Sequence, residues 1–129
     1  MSKEKKYTTT GETRIIDGHV LYRIKALKDF DDVKVGDLGG FIEYEHNLSH
    51  LHNGWIYYDA AVYEHARVHH AKIKGKIAIG GQSIVWKDYD VSKKAKIYKQ
   101  SESIYIMRMQ SQYKSFLNNK EGNKEQNNE

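Results

Sequence analysis

A short all-β solenoid, a three-sided coil of parallel strands, is the fold this sequence predicts, and three observations predict it. Branched aliphatic residues recur about every six positions through the middle of the chain. A small residue stands two positions before most of them. An Asp-Gly pair between two β-rich runs signals a tight hairpin near the start.

The period is plainest in NGWIYYDAAVYEHARV, Asn53 to Val68. Divided into hexads, the fifth position reads Ile56, Val62, Val68, Ile73, Ile79, Val85, Val91 and Ile97, all β-branched. The third position reads Gly54, Ala60, Ala66, Ala71, Ile77, Ser83, Tyr89 and Ala95, mostly small. Ile and Val supply 19 of 129 residues, so chance would align eight of them on the order of once in several million trials. A helix does not explain the period, because a six-residue step advances ~240° and scatters the aliphatics over three faces. Hairpins do not either, since each repeat leaves only about three extended residues and a corner. A triangular coil does. Each hexad makes one flat side, positions three and five point inward, position four points out, and ~18 residues close a circuit stacked at the ~4.8 Å strand spacing. The small third position fits a narrow interior already filled by branched side chains. The step from Val68 to Ile73 is five rather than six, which predicts a distorted corner at His69 and His70.

The elements follow in order. Residues 1–6 are polar and read as a flexible terminus. Residues 7–44 form an N-terminal hairpin and lead-in cap, with strands at Thr13–Ile16 and His19–Ala26 around Asp17-Gly18, then a glycine-bent stretch, GDLGGFIE. The β-solenoid spans 45–106. Residues 107–117 form a C-terminal cap or oligomer contact, a last strand from Ser103 to Met109 continuing into a short helix. The tail 118–129 has no apolar residue and is expected to be disordered.

A chain of 129 residues forms one domain with a modest core. No apolar run approaches ~18 residues, no leader with a cleavage site is present, and Cys is absent, which together predict a cytoplasmic protein without disulfides. The net charge of +4 is mild and favours acidic partners or nucleic acid only weakly. P-loop, Rossmann and nucleophile-elbow motifs are missing.

The hexads resemble the left-handed parallel β-helix of hexapeptide-repeat acyltransferases. More closely, LYRIKALKDFDDVKVGDLGGFIEYEHNLS followed by hexads resembles small phage and prophage proteins with a GDLGGFIE-type lead-in. The likeness covers residues 7 to 98 and implies a left-handed coil, where general crossover rules favour the right hand. The chain departs in having fewer, less regular repeats, with His and Lys where Asn and Gly are usual.

Position six and its neighbours carry Trp55, Tyr57, Tyr63, His69, Trp86 and Tyr98, with Lys74 and Lys94 on the basic second half; these are the candidate binding residues. Stacking over ~18-residue circuits sets Tyr63 below Gly80 and then Tyr98, and His69 near Trp86. Six of the seven His fall between His46 and His70, without a metal-ligand framework. The leading expectation is a non-catalytic, homo-oligomeric phage-type protein, needing no cofactor or metal, that engages a host protein. An inhibitor of a bacterial defence system such as a CRISPR nuclease is the version the resemblance suggests. A small acyltransferase is the alternative, with His65, His69 or His70 as general base. An oligomeric sponge for a phosphorylated small molecule, using Lys and aromatic rings, is the third reading.

Overall fold

Asp17 and Gly18 both take positive φ, 51° and 82°, the geometry of a two-residue turn that matches the twist of an antiparallel pair. They join β1 (Tyr7–Ile16) to β2 (His19–Ala26), so the hairpin is present and its first strand begins earlier than the sequence indicates. The computed structural model describes residues 4–100; the strand and helix expected over Ser103–Leu117 and the tail from Asn118 lie outside the described residues.

β2 pairs antiparallel with β3 (Leu38–Ile42), the lead-in strand, which in turn pairs parallel with the coil. β3 is followed laterally by β5 (Ala61–Val62), β8 (Ile77–Gly81) and β11 (Ala95–Lys99), giving a six-stranded face in the order β1-β2-β3-β5-β8-β11. The second face stacks β4 (Trp55–Ile56), β7 (Lys72–Lys74) and β10 (Tyr89–Asp90). The third pairs β6 (Arg67–Val68) with β9 (Ile84–Val85), and Leu48 bridges to Val68 beneath them. The chain therefore visits the three faces in rotation, making a β-solenoid of about three turns.

The inward positions are those the hexads predict. Ile56, Val62, Val68, Ile73, Ile79 and Val85 are buried, as are Ala60, Ala66 and Ala71 two positions before their branched neighbours, while Val91 and Ile97 are half-buried; Ile42 and Leu48, outside those hexads, join the same core. Each branched side chain removed from water stabilises the coil by about 1.5–3 kcal/mol, before the entropy of ordering is subtracted. Gly40 lies where the first turn is tightest: a Cβ there would stand 2.1 Å from the Ala60 carbonyl oxygen, so no larger residue fits.

The circuits are not equal. Between the first and second coils the pairs Trp55 with Lys72, Ala61 with Ala78 and Arg67 with Ile84 are all 17 apart, so the missing residue after Val68 is absorbed without turning any strand inside out. The backbone bends at His69 and His70, where the short step falls. In the next coil Ile73 pairs with Tyr89, 16 residues on, so Tyr89 rather than Val91 continues the stack over Ile73. This corrects the regular hexad reading there. Val91 instead closes on the corner at Gly75, whose φ is +92° and whose missing Cβ leaves room for the Val91 carbonyl. The corner leading into the second face thus shortens upward, eight residues from Leu48 to Ile56, five from Val68 to Ile73 and four from Val85 to Tyr89.

The longest of these corners receives the start of β1. Lys6, in the stretch read as a flexible terminus, is fully buried, with Nζ donating to the carbonyls of His52 (3.2 Å) and Gly54 (2.6 Å) and lying 5.1 Å from the Phe30 ring centre. Burial and the nearby Lys28 lower its pKa to about 8. Tyr7 stacks on His50 at 4.1 Å and donates its hydroxyl to the Leu48 carbonyl at 2.5 Å. Tyr7, Ile24, Ala26, Phe30, Val33 and Trp55 close the lower end of the core.

Candidate functional site

The hairpin extends the first face and also folds across its outer side, and this decides which predicted residues remain on the surface. Leu21 of β2 joins Phe41, Ala61 and Tyr63 in a second buried cluster on the outside of the coil, with Ile16 packed against it. Arg23, 5 % exposed, lies between two rings, 4.3 Å from Phe41 and 3.7 Å from Tyr58, and is bonded to Glu12 and the Gly39 carbonyl. His19 bridges two carboxylates, Nδ1 to Glu43 at 2.9 Å and Nε2 to Glu64 at 2.8 Å. These contacts fasten the hairpin to the solenoid.

Three of the predicted binding residues are consequently inside the structure or tied to it. Trp55 is buried, because the residues before β3 bring Phe30 edge-on at 5.3 Å and β1 brings Tyr7 at 6.4 Å. Tyr63 is buried beneath the hairpin tip, its ring against Gly80 and its hydroxyl donating to Asp17 Oδ2 at 2.6 Å. Tyr57 is half-buried; its hydroxyl donates to Asp32 at 2.7 Å, and Lys74 stands 4.9 Å above its ring. Burial first, then the partner carboxylate, raises the pKa of both Tyr57 and Tyr63. The hexad rule sends these three side chains away from the coil interior; the N-terminal segment then covers them.

The remaining aromatic positions face water. Trp86 is 64 % exposed and stacks on His69 with ring centres 4.4 Å apart and planes 12° from parallel. Ile84, two residues earlier on β9, is 51 % exposed and was not singled out by the sequence reading; its place on the outward side of a strand on the uncovered third face was the available signal. Tyr98 is about half exposed, tilted over Tyr63 at 6.2 Å and donating to Glu64 at 2.5 Å. Lys94 is exposed, opposite the hairpin rather than beside Trp86.

The histidine-rich stretch resolves into corner stacks one coil apart. His46 lies on His65 at 5.7 Å and His52 on His70 at 5.0 Å, each pair within about 11° of parallel. His65, His69 and His70 make these ring contacts and, among the described residues, no side-chain hydrogen bond to a carboxylate. Among the described residues no group of three or more His, Asp or Glu side chains is placed to hold a metal ion.

No protein-family model and no curated protein matches the chain. What defines it is therefore a β-solenoid of about three turns, preceded by an antiparallel hairpin, with parallel pairs about 17 residues apart.

Proposed function

We propose that the chain is a non-catalytic, phage-type binding protein of the bacterial cytoplasm that engages a host protein through its third face. The observation that carries this reading is the exposed Trp86, held flat by His69 and next to exposed Ile84. A large ring with its orientation fixed loses little freedom on association, which is why Trp dominates the energetics of many interfaces. The resemblance of the lead-in to small phage proteins favours a defence complex, such as a CRISPR nuclease, as the partner. Arg67 is also exposed on this face and would meet an acidic rim. Copies of the chain would further associate into a dimer or trimer, which light scattering checks directly.

Co-expression with a panel of defence complexes, followed by affinity capture and an interference assay, tests the reading. The expected result is capture of one complex with loss of its activity, and at least tenfold weaker binding by Trp86→Ala. Capture undiminished in Trp86→Ala, or protection by no member of the panel, would overturn it.

A further inference from the structure

Where the hairpin arches over the outer side of the first face, it leaves a cleft that the contacts above do not fill. It has a volume of about 520 Å³ and adjoins a second hollow of about 380 Å³; the two share Arg14, Ala78, Lys94 and Ala95. These volumes fall within the range of small-molecule sites. The floor is small, because β8 presents Ala78 on the outer side here; Ala95 of β11 also lines it, while packing against the coil interior. On the hairpin side the wall is apolar, with Ile15 70 % exposed beside half-buried Ile16.

Charge gives the cleft its chemical preference. Arg14 reaches it from β1, and Lys76 and Lys94 from the residues just before β8 and β11. None of these three cations has a carboxylate partner among the described residues; Arg14 has only the Phe41 ring, at 5.8 Å. Two carboxylates also line the site. Asp17 is already engaged by Lys96 and Tyr63, whereas Asp59 stands at the far end, in the smaller hollow. Four cations against two carboxylates leave a positive excess beside an apolar floor. The bonded tip at Asp17 and Lys96 lines one end, as suits a bounded small ligand rather than a strand running through.

We propose that this cleft binds a phosphorylated small molecule of the nucleotide class, its flat ring over Ala78 against Ile15 and its phosphate among Arg14, Lys76 and Lys94. Arg offers paired donors to phosphate oxygens, and the two Lys add point charges. The site lies within one subunit, formed by its hairpin and coil, and it stands independently of the Trp86 face.

The test is calorimetry on the full chain against purine and pyrimidine nucleoside monophosphates and dinucleotides, with inorganic phosphate, unphosphorylated nucleosides and a single-stranded oligonucleotide as separate arms. At least one nucleotide is expected to bind, with phosphate alone and nucleoside alone at least tenfold weaker. Lys94→Glu and Lys76→Glu, both at exposed positions, should each weaken it tenfold or more, while Lys87→Glu and Trp86→Ala leave it unchanged. Absence of binding across the panel, equal binding by Lys94→Glu and Lys76→Glu, or a preference for the oligonucleotide would overturn the proposal.

Discussion

Asp17 at the tip of the hairpin and Lys96 on β11 are joined side chain to side chain, although 79 positions separate them in the chain. The bond closes the N-terminal hairpin onto the last described strand, and Tyr63 donates to the same carboxylate oxygen from below. Lys96 first, then Tyr63, holds the Asp17 carboxyl below the ordinary aspartate range. The fastening is therefore complete above the ordinary aspartate pKa and is lost as pH falls through the lowered value in the folded chain. Hydrogen exchange should show Arg14 to Val20 opening in Asp17→Asn at neutral pH while the coil amides stay protected. Protection unchanged by the substitution would show that the apolar contacts of Leu21 and Ile16 hold the hairpin unaided.

His19 acts at the other end of the pH scale. Its hydrogen bond to Glu43, together with the charges of Glu43 and Glu64, raises its pKa above the ordinary histidine value. Its stabilising effect is fully present below that ordinary value and is lost as pH rises through the raised one. The melting temperature should fall across that interval, and the decline should be shallower in His19→Gln. Parallel curves for the two proteins would mean that the carboxylates are satisfied without a charged imidazole.

Lys6 has the opposite sign. Its pKa, lowered by burial to about 8, lies below that of the unfolded chain, so the unfolded state binds more protons from about pH 8 upward and stability should rise there. The rise ends near pH 10, where Tyr7, Tyr57 and Tyr63, whose pKa values are raised, begin to favour the unfolded chain. Lys6→Met should abolish the rise and cost about 1–3 kcal/mol at neutral pH, because the His52 and Gly54 carbonyls lose their donor. Urea titrations at pH 7.5 and 9.5 measure both effects.

Gly40→Ala should be among the most damaging single methyls at the described glycines. The added carbon would meet the carbonyls of Ala60 at 2.1 Å and Tyr57 at 2.5 Å, and backbone cannot rotate aside as a side chain can. A loss of more than about 3 kcal/mol is expected, a large fraction of the stability of a domain this small, so the melting temperature should drop sharply. Gly11→Ala, where a Cβ meets nothing within 4 Å, is the control and should fold normally. Circular dichroism of the pair decides.

The coil was legible because its interior admits one chemical class at a nearly fixed interval, so Ile56, Val62, Val68, Ile73 and Ile79 announce themselves. The turn at Asp17-Gly18 was legible for a local reason, since few dipeptides accept two positive φ values. Tyr89 and Val91 were not separable in the same way: two residues apart on a strand, they point to the same side, and only the length of the preceding corner selects Tyr89. Nor does the hexad rule show what lies on the outward positions. It sends Trp55 and Tyr63 out of the coil correctly, but the residues that bury them, Tyr7, Phe30 and Leu21, come from a segment with no sixfold pattern. The cleft was hidden for the same reason, since Arg14 and Lys94 are brought together only by the arch of the hairpin.

The shortening corner bears on how such a chain can change in length. Because the steps of eight, five and four residues differ at each storey, no two storeys are interchangeable. A duplicated middle storey would inherit neither the wide landing that seats Lys6 and Tyr7 nor the clipped one above Val85. Within the described residues each storey is fitted to its own neighbours, so growth by tandem copying, the usual freedom of repetitive architectures, would set a mismatched corner into the stack.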